Sequence, residues 1–367
     1  MALRGIDGFD IYESVGQVTT RSGFLQWTKL VVTSGSSGGT DTALIQGRFT
    51  GVENKALNIS NPSGGGQTIL IGSFAANMQT SFVGFATYMI GDNTQGDHSF
   101  IMSLVDSSTA RMIPITFTQS DGSISTPYGR SVNNRFPVGT WFFVEVGCKV
   151  AASGGWLEVR INGVTQYRFD GDVRPYLTTD FFGTSNTVRG TFVNSVYFWV
   201  DGVVRNFRID DVYVCDDTVG PGAFPCNTFL GDRRVLTLKC SAPGDLAQWT
   251  PHGATNWENA AVADGDVSYN ATSTVGQEDL FQIGDLPASV SQVLAVQITG
   301  AYRKDEAASH TLTQRVKSAG VDAGGASYPL QSSYTIYSDL FMLDPATGVA
   351  WTPAAVNAMQ IGYKLDT

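Results

Sequence analysis

Apolar and polar residues alternate with period two along most of the chain, which is the signature of half-buried strands. The chain therefore reads as all-β. The clearest hairpin spans residues 156–169. Leu157, Val159 and Ile161 alternate with Glu158 and Arg160, and Thr165, Tyr167 and Phe169 alternate with Gln166 and Arg168. Between them Asn162-Gly163 supplies the two positive-φ residues of a type I′ turn. Asp201-Gly202 predicts a second turn of this kind, joining 196–200 to 203–214. Further strands are predicted at 24–32, 43–49, 68–74, 82–90, 100–105, 112–117 and 141–150. Strands at this density, separated by Gly, Ser and Asn clusters, predict a two-sheet sandwich.

The alternation stops at 216–225, where Asp, Gly and Pro concentrate. This predicts a first sandwich domain over 1–217, a linker at 218–226 and a second, smaller β-rich domain over 227–367. Strand patterns resume at 234–240, 293–302, 311–316 and 334–340. One short helix is predicted near the C-terminus, with Thr352 as its cap and Pro353 at its first position.

Composition narrows the function. The chain has 367 residues, 23 Lys plus Arg against 33 Asp plus Glu, and a formal net charge of −10. That balance argues against an electrostatic nucleic-acid binder, which needs a concentrated basic surface. Charged residues are 15% of the chain, below the roughly 25% of an average soluble protein. A charge-poor Ser/Thr/Gly surface suits a component packed into an assembly. No apolar stretch reaches the roughly 18 residues that span a bilayer, so no membrane insertion is expected. The opening residues 1–7 carry no apolar core of a secretory signal.

Catalytic signatures are sparse. A sandwich glycosidase needs two carboxylates across a sugar bond. The near-approximations Asp170-Gly171-Asp172 and Asp264-Gly265-Asp266 centre on glycine and read as turns. Asp210-Asp211 lies within a strand, where neighbours point to opposite faces and one carboxylate at most enters a given cleft. His98, His252 and His310 are isolated in sequence, so no metal catalysis is expected. Four cysteines give no zinc spacing and no disulfide framework; Cys148 reads as a core thiol, and Cys215 and Cys226 flank a Gly-Pro turn within reach of one another. The reading is of a non-enzymatic protein with no cofactor. Two binding features remain. Asp92, Asn93 and Asp97 offer oxygen ligands for calcium or glycan in a loop, and Trp156 and Trp257 are candidate stacking platforms for a sugar.

The opening Gly5-Ile6-Asp7-Gly8-Phe9-Asp10, the strand Trp141-Phe142-Phe143-Val144-Glu145, the run 157–163 ending in Asn162-Gly163, and Ile209-Asp210-Asp211-Val212-Tyr213 together resemble tailed-bacteriophage structural proteins. The first domain of those proteins is similar to the concanavalin A-like jelly roll. Asn227 to Asp232, Trp249-Thr250-Pro251 with Asn256-Trp257, Asp279-Leu280-Phe281 with Asp285-Leu286-Pro287, and Asp344 to Gly348 with Trp351 resemble the C-terminal halves of virion and minor tail proteins. The resemblance implies a concanavalin A-like two-sheet jelly-roll sandwich followed by a smaller β-sandwich. It also implies a structural protein of a phage tail tip, baseplate or fibre, or alternatively a capsid decoration protein. A carbohydrate-binding module and a polysaccharide depolymerase are the readings from other classes. The expected partners are other virion proteins, further copies of the chain, with a trimer as first candidate, and a host-surface glycan. The expected location is the virion, assembled in the host cytoplasm.

Overall fold

The computed structural model describes residues 3–10, 12, 25–33, 42–49, 54–61, 66–89, 99–106, 111–175, 189–200, 205–217 and 228–367. The described residues fall into two compact units that part between Val235 and Leu236. The sequence placed 227 onwards in the second domain, yet 228–235 folds with the first unit, for a reason that lies in its contacts below.

The first unit contains β1 (Leu3–Asp7), β2 (Leu25–Thr33), β3 (Thr42–Gln46), β4 (Lys55–Asn61), β5 (Gly66–Met78), β6 (Thr80–Met89), β7 (Ser99–Asp106), β8 (Arg111–Thr118), β9 (Ser123–Thr126), β10 (Gly129–Arg130), β11 (Trp141–Lys149), β12 (Gly155–Ile161), β13 (Val164–Gly171), β14 (Val193–Val200) and β15 (Arg205–Asp216). They make two antiparallel sheets. One has the order β13-β12-β11-β6-β15-β4-β3, with β1 also paired to β15. The other has the order β10-β9-β8-β7-β14-β5-β2. Aromatic rings fill the space between the sheets: Phe85 of β6 lies 4.9 Å from Phe198 of β14, and Phe207 of β15 stacks on Phe100 of β7 at 4.8 Å. This is the two-sheet sandwich that the alternation predicts, with the jelly-roll character that the resemblance implies.

Particular turns test the reading. Asn162 and Gly163 have φ of 49° and 79°, and Ile161 pairs with Val164, as a type I′ hairpin requires. The strands on either side of Asp201-Gly202 do not pair with each other as a hairpin would. Those two residues lie outside the described set, but β14 and β15 belong to opposite sheets, each paired to other strands. A sequence-local turn signal cannot distinguish a hairpin from a crossing between sheets.

The second unit contains β16 (Cys240–Ala247), β17 (Thr250–His252), α1 (Asn256–Ala260), β18 (Tyr269–Ala271), β19 (Glu278–Ile283), β20 (Val296–Tyr302), β21 (Thr311–Ser318), β22 (Val321–Pro329), β23 (Thr335–Phe341), α2 (Pro353–Ala358) and β24 (Gln360–Leu365). Its main sheet runs β16-β19-β24-β21-β22, with the ribbons β17-β18 and β20-β23 separate. Leu312, Gln314 and Val316 of β21 alternate with half-buried neighbours. Ring and aliphatic side chains of β20 and β23 pack with the buried ones of β19, β21 and β24 in two clusters. The predicted helix is α2, where the Thr352 hydroxyl accepts the Ala355 N–H at 3.1 Å and Pro353 opens the helix. Helix α1 was not expected, and the strand expected over 234–240 begins only at Cys240.

Candidate functional site

Three features divide the outer face of the β6-containing sheet, the face turned away from the inter-sheet core. The first is a strap formed by 228–235. The Tyr213 hydroxyl donates to Glu145 Oε1 at 2.5 Å, the Gly231 N–H donates to the same oxygen at 2.7 Å, and the Leu230 N–H donates to the Tyr213 oxygen at 3.1 Å. Glu145 is 1% exposed and Tyr213 2%, so this network is closed to water. Burial and the adjacent carboxylate hold the Tyr213 hydroxyl well above its usual range. Two mid-strand glycines make room for rings. A Cβ on Gly84 would run into the Tyr213 ring, and one on Gly147 would meet Phe229 Cζ at 2.6 Å and Trp156 Cζ3 at 2.8 Å. Phe229 stands edge-on to Phe82 at 5.1 Å, with the Arg160 guanidinium 3.8 Å from its ring centre. These contacts are why 228–235 belongs to the first unit.

The second feature is a cluster of buried carboxylates. The pairing of β15 with β6 shifts register between Asp210 and Tyr213, and Asp211 has a φ of 52°. This bulge cancels the alternation expected from sequence, so Asp210 and Asp211 both turn towards Arg48 instead of to opposite faces. Asp210 Oδ2 accepts the Arg48 N–H at 3.1 Å, and Asp211 Oδ1 accepts the Val235 N–H of the strap at 2.8 Å. Arg48 also pairs with Asp232, a strap residue. Asp10 accepts the Lys55 N–H at 2.6 Å, and Asp7 accepts from the Tyr12 hydroxyl at 2.7 Å. Burial pushes Asp10 up to about 7, and burial, reinforced for Asp210 by its neighbour Asp211, raises that pair as well. Among the described residues no group of three or more His, Cys, Asp or Glu side chains is arranged to hold a metal ion.

The third feature is a row of half-buried side chains. Trp141 of β11 pairs directly with Tyr88 of β6, Tyr88 with Arg208 of β15, and Arg208 with Asn58 of β4. Each strand's opposite parity enters the core: Phe142, Phe207, Leu57 and Ile59 are all at most 1% exposed. The four row residues are half-buried on the outer face. The Trp141 and Tyr88 rings are 5.7 Å apart at 60°, and the Arg208 guanidinium lies 4.8 Å from the Tyr88 ring centre. None of the four side chains makes a hydrogen bond or ion pair to a described residue. With strands about 4.8 Å apart the row spans roughly 14 Å. Two half-buried rings, an amide and a guanidinium are the residue types that meet a sugar chain, whose apolar ring faces stack and whose hydroxyls need partners.

The residues singled out from sequence fall elsewhere. Asp92, Asn93 and Asp97 lie outside the described residues, as do His98 and Cys226. Trp156 is on the outer face beside the strap, 5.7 Å from Phe82 with Arg168 5.4 Å from its ring. Trp257 sits in α1, packed against the cluster containing Phe281, Leu312 and Tyr363. Cys148 is fully buried, and its thiol is pushed far up by that burial. Three motifs of the second unit meet at Asp279, which accepts the Gln248 and Trp249 N–H groups at 2.6 and 2.9 Å and the Asn256 amide at 2.7 Å. Asp344 takes the Ala346 N–H at 2.9 Å to form a turn, and Trp351 donates to Phe341 O at 2.9 Å. Sequence reading missed Tyr88, Arg208 and Asn58 as site residues, because their neighbourhood depends on pairing between strands distant in sequence.

The sequence matches no protein-family model and no curated protein. Among solved structures, the chain is similar to cellulose induced protein Cip1, at 14% identity and a TM-score of 0.39, over 59% of this chain and 100% of that one. A glycoside hydrolase family 131 catalytic domain from Coprinopsis cinerea matches at 15% identity and 0.39, over 60% and 96%. A sialidase matches at 10% and 0.40 over 59% of this chain, which spans 18% of the sialidase's length. Likenesses this distant assign no ligand or activity.

Proposed function

We propose that the first unit is a carbohydrate-contacting domain without catalytic activity, and that a sugar chain lies along Trp141, Tyr88, Arg208 and Asn58. The carrying observation is the cross-strand row itself: two half-buried rings and two polar side chains that bond to no side chain or backbone group among the described residues. Two carboxylates of this face are committed to structural contacts, which supports a binding role. Glu145 is enclosed beneath the strap, and Glu158 is held by Arg160, Arg168 and Thr165 at 2.6 to 2.8 Å. Native electrophoresis of the full chain through gels containing soluble polysaccharides tests the reading. Retardation by at least one polysaccharide, lost in Trp141→Ala, is expected; unretarded migration through neutral and acidic polysaccharides alike would overturn it.

A second reading concerns where the chain works. The residues of 227–367 that resemble tailed-phage virion proteins favour a structural component of a particle, in the tail tip, baseplate or fibre, or decorating the head. Such a component follows the rotational symmetry of its position, so a homo-oligomer is part of this reading. Quantitative mass spectrometry of separated heads and tails checks it: low copy in tails supports the appendage, high copy on heads the decoration protein, and absence from both contradicts either.

A further inference from the structure

We propose that the sugar taken by this row is acidic, with its carboxylate seated on the Arg208 guanidinium; the inference rests on the carbohydrate-contact reading above. Six arginines of this unit are held by carboxylates, whereas Arg111 and Arg135, like Arg208, keep a buried Nε without an acceptor among the described residues. Arg4 pairs with Asp216, Arg48 with Asp232, Arg130 with Asp121, Arg160 and Arg168 with Glu158, and Arg174 with Asp172. Arg208 has the ring of Tyr88 and no carboxylate among the described residues, in a chain whose acids outnumber its bases by 33 to 23.

The arrangement is costly unless something completes it. Arg208 Nε is shut off from solvent and has no hydrogen-bond acceptor. A half-desolvated guanidinium without an anion loses hydration and gains only the ring's quadrupole in return. The acid nearest along the strand on the same face, Asp210, spends its oxygens on the Arg48 and Asp211 N–H groups at 3.1 and 2.8 Å. A carboxylate is planar and accepts two parallel N–H bonds from a guanidinium, which a hydroxyl cannot do. In a uronate or sialate that group projects from a ring whose apolar face is free to stack. On this row the stacking surface, Tyr88 and Trp141, lies on one side of Arg208, and the Asn58 amide lies on the other to meet hydroxyls.

The test is calorimetric titration of the full chain with two matched pairs: an oligogalacturonate and its methyl ester, and 3′-sialyllactose and lactose. The acidic member of at least one pair is expected to bind about tenfold tighter than its neutral counterpart, as a charge-assisted bidentate bond allows. Arg208→Gln should remove that difference and leave the neutral affinity in place, whereas Trp141→Ala should weaken both members. Arg208→Lys, which keeps the charge but not the fork, should retain part of the preference and guards against misfolding of the glutamine variant. Equal affinity within both pairs, or binding only of neutral polysaccharides in the gel assay, overturns the acidic assignment and leaves carbohydrate contact standing. Failure of every saccharide to bind in either assay removes both.

Discussion

Tyr213 lies over Gly84 on the adjacent strand, and its hydroxyl reaches on to Glu145 at 2.5 Å. One residue without a side chain thus permits one ring to cross the sheet and anchor the strap from beneath. Tyr213→Phe removes a hydroxyl that both donates to Glu145 and accepts from Leu230. Leaving two buried polar groups short of partners costs about 1–3 kcal/mol. At roughly 2–4 °C per kcal/mol for a domain of this size, a clear drop in Tm is expected. Amide exchange at Leu230 and Gly231 should quicken more than elsewhere in the unit.

Gly84→Ala and Gly147→Ala separate the sheet from its strap. The first forces a methyl into a ring held at both ends, and overpacking of this kind costs about 1–3 kcal/mol. The second meets Phe229 of the strap at 2.6 Å and Trp156 of β12 at 2.8 Å, two rings that are not tied down by a hydrogen bond as Tyr213 is. Thermal unfolding should therefore suffer more in Gly84→Ala, while Gly147→Ala should mainly increase proteolysis within 228–235. Equal damage in both variants would mean that the strap is as rigid as the strands.

Asp10 sets a dependence on pH. An unfolded aspartate loses its proton near 4, but burial keeps Asp10 protonated to about 7. Between those values the folded chain binds more protons than the unfolded chain, so stability falls as pH rises from about 4 to about 7 and levels off above. Asp210 and Asp211, raised in the same direction, add to the slope. Asp172, drawn down to about 2 by Arg174, acts at lower pH and in the opposite sense. Denaturant midpoints at pH 5, 6, 7 and 8 should decline for the wild type. They should decline less for Asp10→Asn, which keeps an acceptor for the Lys55 N–H.

The hairpin at Asn162-Gly163, the cap at Thr352 and the sandwich itself were legible because each depends on residues near one another in sequence. The failures share a cause. Asp210 and Asp211 were assigned to opposite faces, and a bulge at Asp211 turned both one way; nothing local marks that bulge beyond an aspartate's tolerance of positive φ. The strap was assigned to the second domain because its anchors, Glu145, Tyr213 and Asp211, lie 17 to 86 residues away from the groups they hold. Trp141 was noticed as part of a family pattern, but its partners Tyr88, Arg208 and Asn58 become neighbours only through the order β11-β6-β15-β4.

Within the second unit, Asn259 is the most heavily used polar side chain of α1. Its amide nitrogen, with two hydrogens, is shared among His252 O, Tyr269 O and Asn270 Oδ1 at 2.9 to 3.1 Å, and its oxygen accepts the Ala254 N–H at 3.0 Å. At 4% exposure these groups have no water to fall back on. Asn259→Ala should destabilise this unit by about 1–3 kcal/mol. Exchange should accelerate across β17 and β18 and leave β6 and β11 protected.

The most direct test of the site is a glycan array probed with the full chain and with Trp141→Ala, Tyr88→Ala, Arg208→Ala and Asn58→Ala, with Val164→Ala, an exposed residue on β13, as control. Each contact worth about 1.4 kcal/mol is a tenfold change in affinity. The account predicts that the wild type and the control bind the same glycans, and that all four row variants, folded as judged by unchanged Tm, lose about tenfold on them. Binding that survives in all four variants, or that is absent from the wild type, would contradict it.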